Sequence, residues 1–184
     1  MQTIVVKDLM IPIADYATVS EEANLYEAVI ALEEAQRSFD QNKYRHRAIL
    51  VYDANRRIVG KLSQLDVIRS LEPKYEGIGD LQDLTRFGLN PDYIRQMIKD
   101  HGLWKQPIDD ICKTAAKLRV KDIMYTLTQG EYVAEDATLN EAVHRLIVGR
   151  HQSLLVTQGK EIVGVLRLTD VFSKICDYIK ACEI

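Results

Sequence analysis

The chain contains the same arrangement of short segments twice, and this repeat constrains its fold more than any single motif does. Each copy ends with an aspartate, Asp66 in the first and Asp170 in the second. An internal repeat predicts two similar units that bury their apolar faces against each other, with similar clefts where they meet. The matching segments are VKDLM at 6–10 and VKDIM at 120–124, LYEAV at 25–29 and LNEAV at 139–143, and IVGKL at 58–62 and IVGVL at 162–166.

Composition and charge exclude several classes of function. Hydrophobic residues make up 47% of the chain and charged residues 28%, with a formal net charge of −3. This balance is typical of a globular domain and argues against binding nucleic acid through a basic face. No apolar run approaches the roughly 20 residues that span a bilayer, and the N-terminus lacks the features of a signal peptide. We therefore expect a cytoplasmic protein that does not bind membranes.

Hydrophobic periodicity predicts the same elements in each copy. Apolar residues recur with helical spacing in two segments, 25–35 and 139–147. Two short apolar runs with the composition of strands follow each helix, and a second helix closes each repeat. We predict a first repeat over residues 1–72, a helical insert over 73–118 and a second repeat over 119–184.

The insert between the repeats is too long and too apolar to be a flexible tether. Asn90 and Pro91 are a favoured N-cap and first helical residue, and Gly102 ends the apolar pattern that follows. Pro107 opens a further helix. We expect the insert to pack on the repeats or on a second subunit. A helix-turn-helix that binds DNA is the alternative, but this segment has no excess of cations for phosphate binding.

The residues before the two aspartates allow two interpretations. Ser63 stands at an N-cap position with Asp66 three residues later, so this pair predicts a capping box. In the second copy Arg167 replaces the serine, yet Asp170 keeps its place. A requirement for a carboxylate at the helix start explains both copies, and such a carboxylate can accept hydrogen bonds from vicinal hydroxyls such as those of a ribose.

The strand-G-x-φ-[S/T]-x-x-D-helix pattern (φ apolar), the V-x-D-φ-M lead-in and the φ-x-E-A-φ helix resemble a tandem pair of CBS domains, also called a Bateman module. All three are present twice, except that Arg167 stands at the [S/T] position of the second copy. The resemblance implies an α+β fold of two β-α-β-β-α units about a pseudo-two-fold axis, with the helical segment inserted between them. It also implies that Ser63 and Asp66 hold a ribose in one cleft and Asp170 in the other.

The resemblance extends to the other parts of a nucleotide. Apolar residues and backbone near Ile11 and Pro12 in one lead-in, and near Tyr125 in the other, would flank the base. The ligand implied is AMP, ADP or ATP, with S-adenosylmethionine as a further possibility, and no cofactor is required.

A basic pair before the first strand would contact the phosphate. His46 and Arg47 resemble a pair that does so in the nucleotide-sensing subunit of AMP-activated protein kinase; a solvated basic edge is the alternative. The second copy has His151 followed by glutamine, so Arg150 or Arg167 would have to supply the charge. Arg167 departs from the serine or threonine of the pattern. It either grips a polyphosphate or fills the second cleft, and we expect the first cleft to be the more complete.

We therefore predict a stand-alone CBS-pair protein that regulates a separate effector protein and forms a homodimer. It is not an enzyme, because the sequence contains no nucleophilic side chain combined with a general base in a recognisable catalytic motif. Two other interpretations stay open. One is a structural or oligomerisation module with degenerate clefts, and the other is a ligand-responsive transcriptional regulator that uses the insert.

Overall fold

The computed structural model describes residues 4–38, 45–72, 74–75, 90–105 and 107–181. The predicted α+β pair of repeats is confirmed, with one four-stranded sheet for each repeat. In each repeat a short strand leads into a helix, a β-hairpin and a closing helix. The elements of the first repeat are β1 (Ile11–Pro12), β2 (Thr18–Ser20), α1 (Leu25–Ser38), β3 (Ala48–Tyr52), β4 (Ile58–Ser63) and α2 (Gln64–Ser70).

The second repeat follows the same order after the insert. The predicted helices and strands are all present. The strand β3 has the bounds of its apolar run, and the other hairpin strands extend one or two residues beyond theirs. The insert contributes α3 (Pro91–His101) and α4 (Ile108–Lys117), and the second repeat contributes α5 (Val120–Ile123), β5 (Tyr125–Thr126), β6 (Tyr132–Ala134), α6 (Leu139–Gly149), β7 (Ser153–Gln158), β8 (Glu161–Arg167) and α7 (Leu168–Ala181).

The two lead-in segments are exchanged between the repeats. The sheet orders are β1-β8-β7-β6 and β2-β3-β4-β5, so each repeat completes the sheet of the other. Val6 accordingly packs in the core of the second repeat and Val120 in the core of the first, both without solvent exposure. The duplicated V-x-D-φ-M segments are therefore the parts that join the repeats.

One glycine in each β-hairpin permits this exchange. A Cβ built on Gly164 of β8 would lie 2.6 Å from the Ile11 carbonyl oxygen, and one on Gly60 of β4 would lie 3.0 Å from the Tyr125 carbonyl oxygen. Neither position has room for a side chain while the crossing strand is paired. This explains why the glycine recurs in both copies.

A third apolar cluster lies between the two sheets. It combines β1 and the segment after it with the central strands β3, β7 and β8. Burial of this cluster holds the two sheets together. Its buried members are Ile11, Tyr16, Leu50, Leu155 and Val165.

The insert forms the two predicted helices. Asn90 caps α3, its side chain accepting a hydrogen bond from the Asp92 amide at 2.9 Å, and Gly102 ends the helix at φ 58°. The helix α4 packs on α1 as expected. In contrast, α3 leaves Tyr93 and Ile98 nearly half exposed. Because proline cannot continue a helix, the sequence predicts that Pro73 ends α2, but Pro73 lies outside the described residues.

A buried carboxylate attaches the end of α3 to the first repeat. Glu72, just after α2, is 1% exposed and accepts a hydrogen bond from the Trp104 amide at 2.6 Å. Lys74 donates to the Gly102 carbonyl oxygen at 2.9 Å. In the described residues, no helix combines the length and the apolar character needed to cross a membrane.

Candidate functional site

A cavity of about 510 Å³ opens between the repeats, where β4 meets α2 and where α6 meets β7. Its volume lies in the roughly 300–1,000 Å³ range of small-molecule sites. Both repeats supply its walls, so a molecule bound here would touch both. Of the predicted site residues it contains Arg47, Ser63, Asp66, Tyr125, His151 and Arg167.

Asp66 has one oxygen engaged and one available. Its Oδ2 accepts hydrogen bonds from the Ser63 amide at 2.9 Å and from the Ser63 hydroxyl at 2.6 Å, and the Asp66 amide donates to Ser63 Oγ at 3.2 Å. This is the predicted capping box. No described residue donates to Asp66 Oδ1. The cap therefore orients the carboxylate and engages only one of its oxygens. The capping box and the ribose site are compatible interpretations of this motif.

Asp170 is in a different state from Asp66, and here the structure departs from the prediction of a second ribose site. Arg167 Nε donates to Asp170 Oδ2 and Arg167 Nη2 to Asp170 Oδ1, both at 2.6 Å. The pair is largely buried, with side chains 6% and 16% exposed. Because a bidentate guanidinium engages both oxygens, Asp170 has neither oxygen without a partner, unlike Asp66, and it is not among the residues that line the cavity. The substitution of serine by arginine is the cause.

Three arginines give the cavity an excess of positive charge. Arg45 and Arg47 precede β3 in the first repeat, and Arg150 follows α6 in the second. Within the described ranges none of the three forms an ion pair with a carboxylate. The other two cations in the wall, Lys61 and Arg167, are paired. An anion is the ligand that such a wall favours.

The backbone at Arg150 is in a conformation that favours glycine. Arg150 is the C-cap of α6, with φ 52° and ψ 33°, in the left-handed region. Helices commonly end in this way with glycine, and an L-residue there costs about 1 kcal/mol. Glycine would therefore suit the backbone here better than the arginine that the position carries at the cavity.

A salt bridge crosses the cavity between the repeats. Lys61 of β4 donates to the carboxylate of Glu131, which is 1% exposed, and Lys61 Nζ lies 5.1 Å from the centroid of the Tyr125 ring. Burial by itself raises the pKa of Glu131, but the hydrogen bonds from Lys61 and from the Thr128 amide outweigh it and hold the pKa below its ordinary value. Glu131 is therefore an anion, and its charge is satisfied.

His46 does not reach the cavity, and its predicted phosphate contact needs correction. Its side chain is fully buried, and its ring meets Tyr16 edge-on with centroids 4.4 Å apart. Burial, with the nearby Arg167 as the next cause, lowers the pKa of His46 to about 4. Burial likewise raises the pKa of Tyr16 to about 12. A neutral histidine inside the protein is a packing residue, so only Arg47 of the predicted basic pair faces the ligand space.

The remaining predicted residues divide between cavity and core. Tyr125 is 41% exposed at the cavity wall. His151 lies there too, its ring so close to the backbone that a Cβ on Gly149 would be 2.1 Å from its Nε2. Ile11 and Pro12 are away from the cavity on β1, with Ile11 4% exposed in the cluster between the sheets. Only one of the two predicted base-flanking segments therefore adjoins the cavity.

Sequence reasoning missed several wall residues, some of which had a local signal. Lys61 stands two residues before Ser63 on β4, and residues two apart on a strand point to the same face. Arg45 stands two residues before Arg47, in the segment that leads into β3. Glu131 had no such signal, because it reaches the cavity from a short 3₁₀ turn in the other repeat. In the described part of the chain no three histidine, cysteine or acidic side chains gather into a possible metal site.

Comparison with protein families gives two matches within the chain. The model described as CBS domain matches residues 6–73 and again residues 120–177. The two matched regions are the two repeats, and together they cover more than half of the sequence. No curated protein matches the sequence.

Solved structures with this fold cover nearly the whole chain at low sequence identity. The CBS domain of a CBS domain containing membrane protein from Sphaerobacter thermophilus is 18% identical, covering 94% of this chain and 88% of that one, with a TM-score of 0.60. CBSX2, solved in complex with AMP, is 17% identical, covering 94% and 97%, with a TM-score of 0.59. A CBS domain-containing protein from Bacillus anthracis is 16% identical, covering 95% and 94%, also at 0.60.

Proposed function

Because the chain belongs to the CBS domain family, we propose that it is a regulatory protein that binds an adenosine nucleotide in the cavity between its repeats. The observation that carries this proposal is the state of Asp66. Its Oδ2 is held by Ser63, while its Oδ1 is left for the hydroxyls of a ribose. The complex of CBSX2 with AMP shows that a protein of this fold accepts such a ligand.

The ligand would act by holding the two repeats in one arrangement. Asp66 belongs to the first repeat and Arg150 to the second, and both line the same cavity. A ligand can shift a conformational equilibrium only by its different affinity for the two states. A nucleotide with its ribose at Asp66 that also contacts the wall supplied by the second repeat has that property. Its bound state would be read by a separate effector protein, so the role is regulatory and not catalytic.

The second cleft is not part of this proposal. Arg167 occupies both oxygens of Asp170, so we propose one ribose site in each chain. This pair is also the observation that favours the alternative of a module used only for association. Binding of any adenosine ligand at the cavity would exclude that alternative.

Titration calorimetry with AMP, ADP, ATP and S-adenosylmethionine tests the proposal. We expect the wild-type chain to bind at least one of them, and Asp66→Ala to weaken that binding by roughly 10- to 100-fold, because a hydrogen bond to a charged group is lost. Bound ligand should also raise the melting temperature of the wild type. Equal affinity in wild type and variant would reject the site.

A matched control separates the loss of ligand contact from the loss of a helix cap. Glu27 forms a similar box with Asn24 at the start of α1, where Glu27 Oε2 accepts from the Asn24 amide at 2.8 Å. This box is outside the cavity. Glu27→Ala should therefore lose a cap and leave nucleotide affinity unchanged.

We also propose that the chain forms a homodimer through apolar faces on its closing helices. Phe172 and Ile179 of α7 are 58% and 61% exposed, and Leu65 and Ile68 of α2 are 63% and 53% exposed. A two-fold dimer needs a surface that matches itself. The two repeats present similar apolar faces on equivalent helices, which favours a second copy as the partner.

Size-exclusion chromatography with light scattering tests the dimer. We expect the wild type to have twice the mass of the 21.0 kDa chain and Phe172→Lys to shift it to the monomer, since a buried charge opposes association. Ser173→Lys adds the same charge to an adjacent exposed position and should remain dimeric. A monomeric wild type would refute this part of the proposal.

A further inference from the structure

The cavity has more guanidinium groups than one phosphate needs, even though Asp66 adds a negative charge to the same wall. Arg45, Arg47 and Arg150 all line it, and within the described residues no carboxylate pairs with any of them. One phosphate monoester carries a charge of about −1.5 to −2 at neutral pH. A single guanidinium can bind such a group through two parallel hydrogen bonds. Three guanidiniums therefore match a longer anion.

The three arginines also come from both sides of the cavity. Arg45 and Arg47 belong to the same repeat as Asp66, whereas Arg150 belongs to the other. A ribose held at Asp66 Oδ1 would place its first phosphate within the repeat that supplies Arg47. A second or third phosphate would extend across the cavity toward Arg150.

We propose that the ligand carries two or more phosphates, and that Arg150 is the residue that selects it over a nucleoside monophosphate. This inference rests on the proposed function, since it specifies the ligand of that same site. Arg150 stands in the left-handed region at φ 52°, where glycine is the usual residue. Glycine would be more stable than arginine in this backbone conformation. We therefore assign the role of this position to the arginine side chain.

The backbone conformation makes a sharp test possible. Arg150→Gly removes the guanidinium and also relieves the left-handed backbone, so the variant should fold at least as well as the wild type. We expect calorimetry to show that the wild type binds ATP about tenfold or more tightly than AMP. In Arg150→Gly this ratio should fall to near one, through weaker ATP binding and unchanged AMP binding.

Arg56 offers a matched control. It too lies in the left-handed region, at φ 62°, but in the exposed turn between β3 and β4, stacked 4.5 Å from the centroid of the Tyr52 ring. Arg56→Gly makes the same change of charge and backbone away from the cavity. It should keep the wild-type ratio of ATP to AMP affinity.

The outcomes that overturn the inference differ from those that overturn the function. If the wild type binds AMP as tightly as ATP, or if Arg150→Gly weakens both equally, selection by Arg150 is wrong and the nucleotide site stands. If Arg56→Gly reduces the ratio as much as Arg150→Gly does, the effect is one of net charge and the assignment to Arg150 fails. If the wild type binds no adenosine ligand, the proposed function fails and the inference fails with it.

Discussion

Gly164→Ala is expected to lower the melting temperature by about 10 °C, because the new methyl group would collide with the strand that crosses from the other repeat. Its Cβ would lie 2.6 Å from the Ile11 carbonyl oxygen and 2.8 Å from Met10 Sδ. The backbone oxygen cannot move without breaking the pairing of β1 with β8. Overpacking of this kind lowers the free energy of unfolding by about 3 kcal/mol. In a chain of this size each kcal/mol lowers the melting temperature by about 2–4 °C. Thermal unfolding followed by circular dichroism measures it.

Two other glycines calibrate this effect. A Cβ on Gly60 would meet the flexible side chain of Met124 at 2.6 Å and the Tyr125 carbonyl oxygen at 3.0 Å, so Gly60→Ala should cost less than Gly164→Ala. Gly159 has φ 62° and nothing within 4 Å of the built Cβ. Gly159→Ala should therefore show only backbone strain, about 1 kcal/mol. A cost at Gly164 no larger than at Gly159 would mean that β1 does not pack on β8.

The elements of each repeat could be read from the sequence, but the exchange of lead-ins could not. Helical and strand periodicity are local properties, and they located α1 and the hairpin β3–β4. The segment around Val6 contains a residue that must be buried, but nothing local says in which repeat. Because Val120 stands in an equivalent segment, the same residues would fit either arrangement. Only the long-range pairing of β1 with β8 and of β4 with β5 decides between them.

The candidate site was likewise predictable only in part. Asp66 could be found because it recurs as Asp170, and the arginine in place of serine marked the second copy as different. The sequence does not say where the guanidinium of Arg167 points, and that direction determines that Asp170 is occupied. His46 next to Arg47 looked like part of a basic edge. It is buried against the ring of Tyr16, a contact distant in sequence that the flanking residues do not reveal.

The burial of His46 makes the stability of the fold depend on pH. Its neighbours include the Tyr16 ring, the charges of Arg167 and Asp170, and a hydrogen bond with the Asp15 backbone. Burial first, and Arg167 second, lower its pKa to about 4 in the folded protein, from an ordinary value of 6.5. Between these values the unfolded chain binds a proton that the folded chain excludes. The stabilising contribution is therefore complete above pH 6.5 and decreases as the pH falls toward 4.

We expect the free energy of unfolding of the wild type to fall by roughly 2 kcal/mol between pH 7.5 and pH 5, and by roughly 3 kcal/mol by pH 4. The decrease is about 1.4 kcal/mol for each pH unit below 6.5. Urea unfolding of wild type and His46→Gln at these pH values measures it. The glutamine does not titrate, so the difference in unfolding free energy between the two proteins should shrink by the same amount as the pH falls. His144 is exposed on α6, and His144→Gln is the control for the substitution itself. A difference between wild type and His46→Gln that stays constant from pH 7.5 to pH 4 would show that His46 binds a proton as readily in the folded protein as in the unfolded chain. It would then be a candidate for the phosphate contact that its burial argues against.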